Sequence, residues 1–310
     1  MNPESQCTSF VLMIRPSNFG FNPETASSNA FQSNNERDSQ EHIQSMAIAE
    51  FDALVNKLQE NNIRVLKVED TPNPKKPDAI FPNNWITTHS DGSVITYPML
   101  SEIRRAERRD DIIDLLEQRF KLKQRYSFEY FEEENKFLEG TGSMILDRVN
   151  KVVYACISPR TNIELLDKFT LLKDYEMINF LATDPLGIPV YHTNVIMALG
   201  MSEVIICTAC ILNESEKNRL LHQLEQNGKT VIEISWEQVL KFAGNMLQIR
   251  NTLGEYIWLM SSSAFESLSM DQQTLLTHQS RIIHSPIPTI EKYGGGSVRC
   301  MLAEIFLPLK

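Results

Sequence analysis

The sequence predicts an α/β chain folded as a five-fold pseudo-symmetric propeller of ββαβ units, and three features carry that expectation. Four segments each hold two short apolar runs joined by a polar or glycine-containing turn, the pattern of a β-hairpin. Each hairpin is followed by apolar residues at helical spacing and then by another short apolar run. With Asn84, Gly142, Asn194, Met246 and Val298 as the hairpin starts, the intervals are 58, 52, 52 and 52 residues. A fixed period of this size marks a propeller, solenoid or array.

The first hairpin pairs Trp85 to Thr88 with Val94 to Tyr97 across Ser90-Asp91-Gly92; a helix from Ile103 to Phe120 and a strand from Tyr126 to Tyr130 follow. The second pairs Met144 to Leu146 with Val152 to Ala155, then continues into a helix over Thr161 to Leu172 and a strand over Tyr175 to Leu181. The third pairs Val195 to Leu199 with Val204 to Cys207. Its helix, Asn213 to Gln226, opens with Asn213 three residues before Glu216, a capping-box spacing, and its strand is Thr230 to Ile234. The fourth pairs Met246 to Ile249 with Tyr256 to Leu259, before a helix at Ser269 to Gln279 and a strand at Arg281 to His284. A fifth unit is assembled from both chain ends: Val298 to Phe306 against Phe10 to Ile14, a helix near Glu41 to Asn61 and a strand at Arg64 to Val68. Closure of the last unit by the N-terminal segment argues for a ring, and the whole chain, 1–310, is read as a single catalytic domain.

Composition narrows the partners. The 40 acidic and 30 basic residues give a formal charge of -10, with no basic stripe to follow a phosphate backbone, so nucleic acid is not an expected partner. Met1 to Phe10 lacks the charged and apolar regions of a secretory signal, and the longest apolar stretch, Val195 to Leu212, is broken by Gly200 and Ser202-Glu203. A cytoplasmic protein without a membrane span is expected; a homo-oligomer is left open. Five cysteines without a spaced framework suit a reducing compartment. Cys207-Thr208-Ala209-Cys210 has a C-x-x-C spacing, but no second pair or histidine cluster accompanies it, and no metal or cofactor is expected.

A ring brings its five hairpin starts toward one axis. At or just before those starts lie Asp78 and Asn83-Asn84-Trp85, then Glu139 to Gly142, His192-Thr193-Asn194, Gly244-Asn245, and Gly294-Gly295-Gly296-Ser297-Val298-Arg299-Cys300. Three adjacent glycines cost backbone entropy and suit a place where the chain needs unusual dihedrals or a close approach. A cysteine, a histidine and a glutamate among equivalent positions form the set that thiol catalysis uses. Cys300 is the candidate nucleophile, His192 its acid and base, and Glu139 the carboxylate that orients the imidazole.

Several segments together resemble the guanidine-modifying, or pentein, superfamily: arginine deiminases, dimethylarginine dimethylaminohydrolases, succinylarginine dihydrolases and amidinotransferases. The strongest likeness is to the citrulline-utilisation hydrolases, or citrulline ureidases. The segments are Ile14-Arg15-Pro16 with Asn18 to Asn22, Pro77 to Trp85, Leu138-Glu139-Gly140, Ser158-Pro159-Arg160-Thr161, His192-Thr193-Asn194 and the terminal glycine-cysteine motif. The resemblance implies the pentein fold, a small amino-acid substrate, and the roles just given for Cys300, His192 and Glu139. It further implies that Arg160 holds the substrate α-carboxylate, with Arg104 or Arg105 as a second arginine, because a guanidinium fork suits a carboxylate. Asp78, Asn83, Asn84 and Asn194 complete the implied substrate site.

Asn83, Asn84 and Asn194 stand where arginine-using relatives place carboxylates. A guanidinium only donates hydrogen bonds and is cationic; a ureido group is neutral and carries an accepting carbonyl, which an amide can serve. The expected reaction is therefore hydrolysis of citrulline to ornithine, carbon dioxide and ammonia through an S-carbamoyl enzyme, with Cys300 leaning on His192 for its ionisation. A guanidino substrate, taken by a deiminase, a dihydrolase or an amidinotransferase, is the alternative. The Asn- and Ser-rich loop from Phe19 to Glu36 is read as a lid. The charged run from Arg104 to Asp111 is read as a solvated helix face apart from its site arginine, and Glu132 to Glu134 as an exposed turn.

Overall fold

Apolar runs too short to stand alone as strands must pair, and in the computed structural model they pair into five three-stranded sheets. The structure describes residues 4–26, 29, 31–33 and 38–310. In four of the sheets two consecutive strands form an antiparallel hairpin and a third joins in parallel; the fifth has the same arrangement built from both chain ends. Ile86–Thr88 pairs with Ser93–Thr96, which takes Gln124–Ser127. Met144–Asp147 pairs with Val152–Cys156, which takes Glu176–Phe180. Met197–Leu199 pairs with Glu203–Ile206, which takes Thr230–Glu233. Leu247–Arg250 pairs with Tyr256–Ser261, which takes Ser280–Ser285. The fifth sheet closes the ring: Ala303–Glu304 lies antiparallel to Phe10–Arg15, and Arg64–Glu69 lies parallel to it.

A parallel partner requires a crossover, and the helices supply it. They are Asp110–Arg119, Ile163–Lys173, Glu214–Gln226, Met270–Thr277 and Gln40–Glu60. Asn213 caps its helix through Oδ1, but Glu216 does not reach back; its carboxylate accepts the Leu181 N–H instead. Reciprocal capping boxes occur at Ser235 with Gln238 and at Ser269 with Gln272. The middle strands are buried along their length, as in Val152–Cys156, so they read as continuous apolar runs rather than alternating ones.

Three elements depart from the sequence expectation, each for a tertiary reason. The helix over 103–120 breaks into Glu102–Arg105 and Asp110–Arg119, with Arg109 extended between them. Arg109 Nη1 binds the Glu69 carbonyl at 2.8 Å and Arg104 turns inward, so side-chain anchoring outweighs helix continuity. The strand at 126–130 stops at Ser127 and becomes a 3-10 helix, Glu129–Glu134, that buries Phe131. Glu132 is correspondingly not an exposed turn residue: it pairs with Arg108 at 2.6 Å and accepts the Met99 N–H. The terminal strand shrinks to Ala303–Glu304 because Val298–Met301 forms a 3-10 turn.

That last departure is general. Short helical turns at Pro82–Asn84, Gly140–Ser143 and Thr193–Ile196 precede three of the hairpins, and one at Val298–Met301 precedes the closing strand. They hold the residues that the repeat pointed to, facing one end of the ring. Among the described residues no helix is long and apolar enough to cross a membrane. All five cysteines are free thiols; Cys207 and Cys210 lie 3.2 Å apart, Sγ to Sγ, beside a separate cleft.

Candidate active site

The turns converge on a small, half-open cavity. Asp78, Phe81 and Asn84 reach it from the first unit, Arg104 from the broken helix and Arg160 from the loop after Val152–Cys156. Tyr191 and His192 come from the third unit, Gly294 to Gly296 and Cys300 from the fifth, and Thr25 and Asn29 from the N-terminal loop. Gly295 ends the helix Pro288–Gly294 with φ 62°, a left-handed position that favours glycine. Its carbonyl accepts the Tyr191 hydroxyl at 2.9 Å and Asn29 Nδ2 at 3.3 Å, which pins the glycine loop beside the cavity.

Cys300 sits in the 3-10 turn, with its N–H on the Ser297 carbonyl at 3.0 Å. Two side-chain amides hold its sulfur. Asn245 Nδ2 lies 3.2 Å from Sγ and Asn194 Nδ2 3.5 Å. Asn245 Nδ2 also donates to the Asn194 carbonyl at 2.9 Å, which ties the two asparagines together.

His192 Nε2 lies 2.8 Å from Glu139 Oε2, and both residues are buried. Burial would raise the Glu139 carboxyl, but Arg160, His192 and Arg104 outweigh it and hold the group at about 2. Arg160 Nη1 is 3.6 Å and Arg104 Nη1 4.0 Å from Oε2. Burial lowers His192 to about 4; Glu139 opposes that shift and the two arginines add to it. At neutral pH the imidazole is therefore neutral beside an ionised carboxylate. The carboxylate accepts, so Nε2 carries the proton and Nδ1 is left as the basic nitrogen. A Cβ on Gly142 would stand 2.3 Å from Asn84 Nδ2 and 2.7 Å from His192 Nδ1, so only glycine allows this packing.

Asn84 has one determined orientation. Arg104 Nη1 donates to its Oδ1 at 2.9 Å, and an arginine has no acceptor to offer, so Nδ2 must face the other way. That Nδ2 is buried, has no hydrogen-bond partner among the described residues, and belongs to a residue that lines the cavity. Asp78 is also buried: Oδ2 accepts Asn22 Nδ2 at 2.7 Å, whereas Oδ1 has no hydrogen-bond partner among the described residues. Burial raises its pKa against the pull of Arg104. Arg160 stacks its guanidinium over the Tyr191 ring at 4.9 Å.

The structure thus brings together Cys300, His192, Asp78, Asn84, Arg104 and Arg160 around the cavity, with Glu139 directly behind His192. It separates four expected contributors or roles. Arg105 does not line the cavity; it lies on the outer side against Glu132 at 3.4 Å and the Met99 carbonyl. Asn83 turns away, its Nδ2 on Thr141 Oγ1 at 3.4 Å, because adjacent residues on a tight turn point apart. Asn194 contacts the sulfur from behind and does not line the cavity. Arg104 is engaged by Glu107 through two contacts of 2.9 Å, so the run from Arg104 to Asp111 is not wholly a solvated face. Of the lid segment, residues 27, 28, 30 and 34–36 lie outside the described residues, while Asn22, Thr25 and Asn29 reach the site.

Tyr191 and Glu107 are residues that sequence reasoning did not place, and Asn245 is one that it placed toward the axis without a role. Asn245 had a signal, its position just before the fourth hairpin. Tyr191 and Glu107 had none, since neither stands at a repeat position.

Residues 15–307 match the model of a family described as N,N-dimethylarginine dimethylhydrolase, eukaryotic. No curated protein matches the chain in sequence. Among solved structures, the substrate-bound N-terminal domain of ArgZ, an arginine dihydrolase of the ornithine-ammonia cycle in cyanobacteria, is similar with a TM-score of 0.74. Identity is 18%, over 96% of this chain and 98% of that one. Apo ArgZ gives the same score and identity, and the match spans 41% of that longer chain. A dimethylarginine dimethylaminohydrolase carrying an S-methyl-L-thiocitrulline adduct is similar at a TM-score of 0.65 and 16% identity, over 96% of this chain and 100% of that one. At these identities the likeness establishes a shared fold.

Proposed function

The chain belongs to the N,N-dimethylarginine dimethylhydrolase family of the guanidine-modifying, or pentein, superfamily, and on that premise we propose that it is a thiol hydrolase of the ureido C–N bond of citrulline. The observation that carries the choice of substrate is Asn84. Its Oδ1 is taken by Arg104, which leaves a buried N–H donor without a hydrogen-bond partner among the described residues, on a side chain that lines the cavity. A carbonyl oxygen satisfies that donor. A guanidinium, which only donates, leaves it unsatisfied, at a cost of about 1–3 kcal/mol for the buried group.

The residues then divide the work. Cys300 sulfur attacks the ureido carbon and the carbonyl oxygen takes the negative charge, stabilised by Asn84 Nδ2. Asn194 and Asn245 steady the sulfur beforehand. His192, oriented by Glu139, accepts the thiol proton and passes it to the departing ornithine nitrogen, which leaves an S-carbamoyl cysteine. A water deprotonated by His192 attacks that carbon, the thiol is regenerated, and the released carbamate decomposes to carbon dioxide and ammonia. Arg160 receives the substrate α-carboxylate and Asp78 a cationic nitrogen.

Asp78 also favours a second reading, hydrolysis of arginine, the substrate class named for ArgZ. With His192 neutral, the buried charges near the cavity are three carboxylates, Asp78, Glu107 and Glu139, against two guanidiniums, Arg104 and Arg160. Either a cationic substrate or a proton on one of the two carboxyls that burial raises, Asp78 or Glu107, restores balance. Incubating the protein separately with citrulline and arginine, and following ornithine, ammonia and citrulline, decides between them. Ornithine from citrulline is the expected result. Turnover of arginine with none of citrulline would overturn the first reading in favour of the second.

A further inference from the structure

We propose that Glu107 is a positioning residue that sets substrate preference, acting through Arg104 on the amide of Asn84; this rests on the reading of Asn84 as a donor to the substrate. Glu107 is 3% exposed and lies on the short turn between the two broken helix pieces. The Arg104 guanidinium stands among three carboxylates, and Glu107 holds it. Nε and Nη2 each meet a Glu107 oxygen at 2.9 Å, whereas Asp78 is 3.8 Å and Glu139 4.0 Å away. A two-point contact fixes the rotation of the guanidinium plane as well as its place. With that edge committed, and Nη2 also near the Phe81 carbonyl at 3.3 Å, Nη1 is directed at Asn84 Oδ1.

Removing the Glu107 charge releases this arrangement. Asp78 and Glu139 then compete for Arg104 from distances at which they already attract it, and the guanidinium turns from Asn84. Freed of its fixed partner, the Asn84 amide can rotate and present Oδ1 to the cavity. An oxygen suits a guanidinium where the nitrogen suits a carbonyl. Glu107 touches no substrate, yet its charge decides which face of Asn84 the substrate meets.

The test is a double-mutant cycle on ligand affinity. In a Cys300→Ser protein, which binds without turnover, citrulline and arginine affinities are measured by calorimetry alone, with Glu107→Gln, with Asn84→Ala, and with both. Glu107→Gln is expected to move the citrulline-to-arginine affinity ratio toward arginine by about tenfold, the scale of one charge-assisted hydrogen bond. Because the effect runs through Asn84, the shift should vanish when Asn84 is alanine. Glu107→Asp, which keeps the charge at shorter reach, should give a smaller shift in the same direction and serves if Glu107→Gln loses its cooperative thermal transition. An equal loss for both ligands, no shift in either variant, or the same shift with and without Asn84 overturns the proposal. Failure of the citrulline reading shows separately, as wild-type turnover of arginine alone, and the cycle still judges Glu107.

Discussion

Asn245 Nδ2 stands 3.2 Å from the sulfur of Cys300, closer than any other side-chain nitrogen recorded on it among the described residues. The two residues come from different units of the ring, so their contact is a product of closure. Asn245 touches the nucleophile without lining the cavity, which separates holding the sulfur from recognising the substrate. Asn245→Ala should therefore lower kcat by about tenfold to a hundredfold, as expected for a hydrogen bond to a charged group, with KM little changed. Steady-state kinetics beside a thermal melt check this; a rise in KM at constant kcat would assign Asn245 to the substrate instead.

Gly142 should tolerate no side chain. A methyl group there would lie 2.3 Å from Asn84 Nδ2 and 2.7 Å from His192 Nδ1. Gly142→Ala must displace both, and overpacking of this kind costs about 1–3 kcal/mol of stability. Activity should fall more than stability, since the displaced groups are the proposed base and oxyanion donor. The comparison of Tm with kcat/KM tests that ordering.

Replacing Asn84 by Asp removes the side-chain N–H proposed to meet the substrate and sets a carboxylate against Arg104. Citrulline kcat/KM should drop by at least about tenfold, the scale of one transition-state hydrogen bond, while arginine use holds or rises. Asn194→Asp should behave differently, because its Nδ2 faces the sulfur at 3.5 Å. A carboxylate there opposes formation of the thiolate, so kcat should fall for either substrate. Equal responses from the two variants would contradict the division of roles.

The acid limb of the pH profile should belong to the His192–Glu139 pair. His192 titrates at about 4, below its ordinary 6.5, and Glu139 at about 2, below 4.5. In both cases the unfolded chain binds more protons than the folded one inside those intervals, so the pair's contribution to stability shrinks as pH falls. The loss attributable to His192 runs from about 6.5 to 4, and that of Glu139 from about 4.5 to 2. The Tm difference between wild type and His192→Gln should accordingly narrow as pH drops from 6.5 to 4. For kcat/KM, a neutral imidazole persists well below pH 6.5, and the acid limb should fall near 4. A limb near 6.5 would mean that the imidazole is not held neutral by its surroundings.

The architecture was legible along the chain because each unit is local. A hairpin, a helix and a strand are written by short-range periodicity and turn chemistry, and a constant interval reveals their repetition. The ring was legible for the same reason, through Phe10 to Ile14 supplying the strand that the last unit lacks. What misled was the start of each unit. Val298 to Met301 looks like the beginning of a strand, yet it winds into a turn because Cys300 must approach Asn245 and Asn194 across the axis. Arg104 and Arg105 are equivalent by sequence; burial separates them, with one side chain 3% exposed and the other 29%.

Identity and spacing along the chain were enough to nominate Cys300, His192 and Glu139 and to place them at one end of a ring, since equivalent positions in repeated units must converge when the ring closes. The direction of each polar side chain was not written there. That Asn84 offers a nitrogen, that Asn194 serves the sulfur, that Asn83 turns away and that Glu107 grips Arg104 depend on partners from distant units. A buried hydrogen bond is satisfied by whatever the assembled ring brings within about 3 Å, and no local pattern carries that information.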